Sequence, residues 1–70
     1  MASIPGTKNK HGQIVVRDTG AASISHPYAR VVELKCSECG KFYGANSCDV
    51  HERRCPHCQH GRPGEPLPGL

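Results

Sequence analysis

The sequence predicts a small, β-rich domain that depends on a bound metal ion for its stability. The chain has only 70 residues, of which 36% are hydrophobic and 4% aromatic. A chain of this length buries only about 60% of its unfolded surface, and its core alone seldom supplies more than about 3–5 kcal/mol. Short β-branched runs indicate strands, while five cysteines and five histidines are available as ligands. We therefore expect metal coordination to add the stability that packing cannot.

Two β-branched runs predict an antiparallel hairpin at the start of the domain. Residues 13–17 form the first run, and residues 18–20, with the sequence Asp-Thr-Gly, are expected to end it. The second run covers residues 28–35, where alternation places Val32 and Leu34 on one face. A loop of about ten residues would join the two strands.

A short strand and a helical turn are predicted farther along the chain. Residues 41–43 favour a strand, and Gly-Ala-Asn at residues 44–46 is expected to stop it. Residues 47–54 carry acidic side chains early and arginines late, as the helix dipole favours. Asn46 or Ser47 is expected to cap this segment, which is long enough for only one or two helical turns.

Composition divides the chain into three parts. Residues 1–12 are polar and interrupted by Gly and Pro, so they predict a flexible N-terminal arm. Residues 13–60 contain the hairpin and all five cysteines, and they are expected to form the domain. Residues 61–70 are dominated by Gly and Pro, which exclude a helix or a central strand and predict a flexible tail.

Paired cysteines are the most specific signal in the sequence. They stand as Cys36-x2-Cys39 and Cys55-x2-Cys58, with about fifteen residues between the pairs, a spacing typical of zinc sites. Two residues between cysteines place both sulfurs on one side of a tight turn, within about 2.3 Å of one tetrahedral ion. Clustered cysteines of a reducing compartment are metal ligands rather than disulfides. We therefore predict one Zn²⁺ per chain, held by these four cysteines.

Over residues 31–60 the chain resembles the zinc-ribbon family. The matching knuckle residues are Cys36, Cys39, Gly40, Cys55, Pro56 and Cys58. This resemblance implies a zinc ribbon, here with an added N-terminal β-hairpin, and a metal whose role is structural. It also implies a binding or docking element, since zinc ribbons occur in transcription, translation and nucleic-acid enzymes.

One feature between the knuckles departs from the simple ribbon pattern. Cys48 and His51 form a further ligand-like pair, Cys-x2-His. They could complete a site with Cys36 and Cys39, or alternatively with Cys55 and Cys58. We favour the four-cysteine site, because Gly and Pro beside the outer pairs are typical of metal-binding knuckles. Cys48 is then expected to be a free, partly buried thiol and His51 an exposed residue.

Charge and aromatic residues favour a module that contacts DNA or RNA. The formal net charge is +3, and residues 1–30 carry much of the excess. Either Phe42 or Tyr43 could stack on a base, but adjacent strand residues face opposite ways, so only one can be exposed. The predicted nucleic-acid contacts are Lys8, Lys10, Lys35, Lys41, Arg53 and Arg54. The alternative is a protein-docking accessory subunit of a larger complex.

Enzymatic activity is not expected. The segment Cys55-Pro56-His57-Cys58 matches the active-site pair of thiol oxidases, but that chemistry needs a following helix, which Gly and Pro exclude here. A catalytic zinc ion would need an open ligand position and a pocket, and no small-molecule substrate is evident. The sequence has no apolar run of roughly 18 residues and no signal-peptide pattern, so we expect a cytoplasmic, intracellular protein without a membrane partner.

Overall fold

Three antiparallel strands form the framework of the domain, as the sequence predicts. The computed structural model describes residues 4–24, 28–65 and 67. Within them β1 (Gln13–Ala22), β2 (Arg30–Cys36) and β3 (Phe42–Asn46) form one sheet in the order β1-β2-β3. One short 3-10 turn, Val50–Glu52, follows β3 and is the only helical element in this part of the chain. The β-rich fold and the β1–β2 hairpin are confirmed.

The hydrophobic core lies on one face of the sheet. Strand pairing places Val15, Leu34 and Tyr43 side by side across β1, β2 and β3. Val32 and Ala45 extend this cluster along the strands, and both Val32 and Leu34 are fully buried. Cross-strand neighbours of this kind are the main source of sheet stability. The alternation predicted for β2 is therefore confirmed, since Val32 and Leu34 both lie in the core.

Two strands continue past the residues that were expected to end them. β1 runs through residues 18–20 to Ala22 because register shifts after Val15 and Asp18 absorb the irregular residues, and Gly20 takes a φ of +76°. β3 likewise continues through Gly44 to Asn46. A Cβ atom on Gly44 would lie 2.5 Å from the Glu65 carbonyl oxygen, so this glycine permits close approach of the tail rather than a turn.

The N-terminal segment differs from the free arm that its composition predicts. Gly6 donates its N–H to the carbonyl of Val15, and Val15 donates to Thr7, both at 2.8 Å. Lys8 forms an isolated antiparallel bridge with Ile14. This segment therefore pairs briefly with the outer edge of β1. The Asn9 side chain donates to the carbonyls of Val50 and Arg53 and so joins the segment to the 3-10 turn. Residues 1–3 lie outside the described residues.

The tail also packs on the sheet where it is described. Glu65 donates its N–H to the Gly44 carbonyl at 2.8 Å, and its carboxylate accepts a hydrogen bond from the Ser23 hydroxyl at 2.7 Å. The Arg53 guanidinium donates to the carbonyls of Arg62 and Pro63. These are contacts between distant segments, which composition could not predict. Residues 66 and 68–70 lie outside the described part of the chain.

The predicted helical turn is present in a shorter form. The 3-10 turn has Asp49 at its N-cap, without a side-chain cap hydrogen bond. Asn46 instead accepts a hydrogen bond from the N–H of Cys48 at 3.1 Å, which closes a side-chain turn just before the helix. Among the described residues, the structure contains no helix of the length and hydropathy that a bilayer crossing requires.

Candidate metal centre

Two tight turns, or knuckles, present the four predicted cysteines. The first follows β2 directly: Gly40 donates its N–H to the Cys36 carbonyl at 2.9 Å and takes a φ of +77°. A side chain is strained in that conformation, which explains the glycine after the second cysteine. In the second knuckle, Gln59 and Gly61 both donate to the Cys55 carbonyl, at 3.1 and 3.0 Å. Each turn folds the chain back so that both of its sulfurs point the same way.

The four sulfurs form one compact cluster. The Sγ atoms of Cys36, Cys39, Cys55 and Cys58 all lie within 4.8 Å of one another. The Cys36–Cys58 and Cys39–Cys55 distances are both 3.6 Å. A tetrahedral ion bound at about 2.3 Å requires sulfurs about 3.8 Å apart, whereas a disulfide requires about 2.05 Å. The cluster therefore fits one tetrahedral metal ion and does not contain a disulfide.

Hydrogen bonds to sulfur follow the same pattern in both knuckles. The N–H of Glu38 donates to Cys36 Sγ at 3.4 Å, and the N–H of His57 donates to Cys55 Sγ at 3.3 Å. In each case the donor lies two residues after the first cysteine. Donors of this kind stabilise negative charge on sulfur and orient it toward a cation. The backbone is thus already arranged for thiolate ligands.

Burial differs between the two cysteines of each pair. The first cysteines, Cys36 and Cys55, are fully buried, whereas the second ones, Cys39 and Cys58, are exposed. Two sulfurs thus anchor the ion to the interior and two close the site from the solvent side. This arrangement gives an ion a direct path of entry while joining the site to the core.

Hydrogen bonds to the sulfur favour the thiolate form of Cys36. Burial raises the pKa of this thiol, but hydrogen bonds from the Cys39 backbone, the Gln13 side chain and the Glu38 backbone outweigh it, and the pKa falls to about 6. Burial raises the pKa of Cys58, and the neighbouring cysteines raise it further. The pKa of Cys39 is also raised, so the sulfur at the end of β2 carries negative charge before those of Cys39 and Cys58 do.

A buried glutamine connects the metal centre with the core. The Gln13 amide nitrogen donates to Cys36 Sγ at 3.4 Å and to the His11 carbonyl at 3.0 Å. Its amide oxygen accepts a 2.6 Å hydrogen bond from the Tyr43 hydroxyl. Gln59 completes the network, since its oxygen accepts from the Cys55 N–H and its nitrogen donates to His11. Both knuckles and the N-terminal segment therefore meet at these two side chains.

Sequence reasoning missed both glutamines. Gln13 is only 1% exposed, although it begins a strand and precedes a β-branched run. The register pairs it with Cys36, which places both side chains on the core face of the sheet. The available signal is a polar residue at an inward position of a predicted strand, and it becomes informative only when the register is known.

The rival ligands lie outside the cluster. Cys48 and His51 are both exposed, and the cluster found among the described residues contains only the four cysteines of the outer pairs. Cys48 is exposed rather than partly buried, and it lies in the turn that Asn46 closes after β3. His51 lies 3.9 Å from the exposed carboxylate of Glu52.

Of the predicted basic contacts, Arg53 is buried. Its side chain is 5% exposed, its guanidinium is 5.4 Å from the centre of the Tyr43 ring, and it donates to tail carbonyls. It holds the tail and cannot contact a phosphate. Lys10 is exposed but paired with Glu52 at 2.9 Å. The remaining predicted contacts, Lys8, Lys35, Lys41 and Arg54, are exposed.

Comparisons with known proteins do not assign a family to this chain. No protein family model, curated protein or solved structure matches this chain. The four-cysteine cluster is consistent with a zinc-ribbon-like motif and identifies a site for one metal ion. The function must therefore be argued from the described geometry.

Removal of the metal is expected to unfold the domain. The core cluster contains only five buried residues, whereas a structural zinc site contributes on the order of 10 kcal/mol. A strong chelator should collapse the amide proton dispersion of the chain, and added Zn²⁺ should restore it. A spectrum that remains dispersed after complete metal removal would contradict a stabilising role for the ion.

Single substitutions should separate the ligands from their neighbours. Serine in place of Cys36, Cys39, Cys55 or Cys58 should abolish metal binding or folding, because serine is nearly isosteric but binds zinc poorly. The matched control is Cys48→Ser, which should retain one ion per chain in native mass spectrometry. Loss of the ion in this control would move the site to one of the rival ligand sets.

The Gln13 side chain is expected to tune affinity without changing stoichiometry. Gln13→Leu removes the donor to Cys36, and loss of such a contact weakens metal binding by about 10–100-fold. Competition with a chromophoric chelator measures this change. Tyr43→Phe is the control, since it removes the hydroxyl bonded to Gln13 and leaves the donor to sulfur in place. Equal losses of metal affinity in the two variants would show that packing, rather than the hydrogen bond to sulfur, determines the affinity.

Proposed function

We propose that this chain is a structural-zinc module that binds nucleic acid through the exposed face of its sheet. Four thiolates favour Zn²⁺, which prefers sulfur ligands and tetrahedral geometry, and hard cations such as Mg²⁺ and Ca²⁺ require oxygen. Four sulfurs also fill the coordination shell. A full shell leaves no open position for a substrate or an activated water, which supports a structural rather than a catalytic role.

A row of side chains across the sheet carries the nucleic-acid proposal. Lys8 bridges to Ile14, Ile14 pairs with Lys35, and Lys35 pairs with Phe42. Directly paired residues of antiparallel strands share a face, so these four side chains lie in one line across the sheet. Their face is opposite to that of the core residues Val15, Leu34 and Tyr43, because side chains alternate along each strand.

The row combines cations with an exposed ring. The Lys35 ammonium lies 5.4 Å from the centre of the Phe42 ring, and Phe42 is 51% exposed. Lysines that contact phosphates and aromatic rings that stack on bases are the two elements of sequence-tolerant nucleic-acid binding. Of the two adjacent aromatic residues, Phe42 is the exposed one and Tyr43 is buried, and Phe42 lies beside a lysine.

The lysines of this row carry charge that no described acidic group pairs, whereas two arginines of the same sheet are paired. Arg17 pairs with Glu33 at 2.7 Å and Arg30 with Asp18 at 2.8 Å. No ion pair involves Lys8 or Lys35 among residues 4–24, 28–65 and 67. Zn²⁺ with four thiolates adds two negative charges, so the net charge of +3 falls to about +1. A modest, local site is therefore what this chain supports.

Neutralising the row should weaken oligonucleotide binding. Lys8→Gln with Lys35→Gln should lower the affinity of the zinc-loaded chain for oligonucleotides and reduce the salt slope by about 1.4–1.8, since each phosphate contact contributes about 0.7–0.9. Fluorescence anisotropy at several salt concentrations measures both effects. The control, Lys10→Gln, removes a charge that is already paired with Glu52, and should change the affinity much less.

Absence of oligonucleotide binding by the zinc-loaded chain at low salt would overturn the nucleic-acid proposal. Protein docking would then be the better interpretation. One observation favours that second candidate: Tyr28 is 97% exposed and Ile24 is 79% exposed, on the connection between β1 and β2. Large apolar side chains presented in this way are typical of protein contact sites.

A further inference from the structure

We infer that the nucleic acid bound by this chain is single-stranded, and that one unpaired base enters the cleft beside Phe42. This inference rests on the proposed nucleic-acid binding and specifies its substrate class. The cleft lies at the end of the row, where Phe42 belongs both to the row and to the cleft wall.

The shape of the cleft suits a flat ring. It has a volume of about 450 Å³ and opens to solvent between β3, the second knuckle and the tail. Phe42, Pro56, Pro63 and Leu67 supply apolar walls, while His57 adds an exposed imidazole. Glu65 also lines the cleft, and its carboxylate accepts a hydrogen bond from the Ser23 hydroxyl. A site built from apolar surfaces with a few polar groups matches a nucleobase, which has apolar faces and a polar edge.

The walls of the cleft are fixed before any ligand binds. Arg53 donates to the Pro63 carbonyl at 3.0 Å, and the N–H of Glu65 donates to the Gly44 carbonyl at 2.8 Å. On the other side, the second knuckle carries Pro56 and His57 and is held by the metal cluster. A preformed cleft avoids the entropy cost of ordering its walls on binding.

The cleft and the row together favour an unpaired strand. Bases within a duplex are stacked on their neighbours, so their faces are not accessible to a ring in a cleft. An unpaired base can leave the stack and lie against Phe42, while the adjoining phosphates reach Lys35 and Lys8. Those two lysines are separated by two interstrand steps, or about 10 Å. Stacking on an aromatic side chain is worth about 1–3 kcal/mol per base.

A comparison of single and double strands tests the inference. The zinc-loaded full chain is titrated with labelled oligothymidylate of about 12 nucleotides and with a duplex of the same length. We expect tighter binding of the single strand. Phe42→Leu should weaken that binding about 5–150-fold, the equivalent of the stacking energy, and leave zinc stoichiometry unchanged. The control Tyr28→Leu removes a more exposed aromatic ring that lies outside the row, and should have no such effect.

A fluorescent variant gives an independent measure of stacking. The chain contains no tryptophan, so Phe42→Trp places a single reporter in the cleft. Its fluorescence should be quenched by oligothymidylate and remain unchanged with the duplex. Loss of quenching in the additional variant His57→Ala would support entry of the base next to the imidazole.

The outcomes distinguish this inference from the proposal on which it rests. Equal affinities for single strand and duplex, together with a harmless Phe42→Leu substitution, would overturn the single-strand inference and leave nucleic-acid binding intact. Failure of both oligonucleotides to bind would overturn the two together.

Discussion

Four sulfur atoms lie within 4.8 Å of one another. The rest of the domain depends on the cation that would hold them together as thiolates. Two thiolates about 4 Å apart repel each other by about 4 kcal/mol in partly buried surroundings, so four of them cannot remain together without a cation. A dication between them attracts each thiolate, and this attraction outweighs the repulsion among the sulfurs. The first knuckle ends β2 and the second precedes the tail, so one ion fixes the strands and the segment that packs beside them.

Strand alternation lets neighbouring residues of the same strands serve two purposes on opposite faces. Gln13 and Cys36 pair on the core face, where the metal centre and the Tyr43 hydroxyl meet. One residue along, Ile14 and Lys35 pair on the exposed face, next to Phe42. The register that brings Cys36 to the metal centre thus also places the row on the opposite face. Loss of the ion and loss of a row residue are therefore expected to be separable defects, although both would prevent the proposed nucleic-acid binding.

Local patterns predict local features of this protein well. The ligand set follows from Cys-x2-Cys spacing, and the conformation of Gly40 follows from its place in the knuckle, because both depend on a few adjacent residues. Distant contacts decide the features that local patterns miss. Gly44 continues a strand because Glu65 approaches it, and Arg53 is buried because it binds tail carbonyls. The row depends on register, since Lys8 and Lys35 become neighbours of Ile14 only after the sheet has formed.

The outer edges of the sheet affect how copies of the chain behave toward one another. An uncovered edge strand offers free N–H and C=O groups to any passing chain and can template fibre growth. Here the carbonyl and N–H of Val15 on β1 bind Gly6 and Thr7, and the carbonyl of Gly44 on β3 binds Glu65. Shifts of register further bend β1 away from a flat edge. The terminal segments therefore shield a very small sheet from polymerising, a hazard that its high strand content would otherwise create at high concentration.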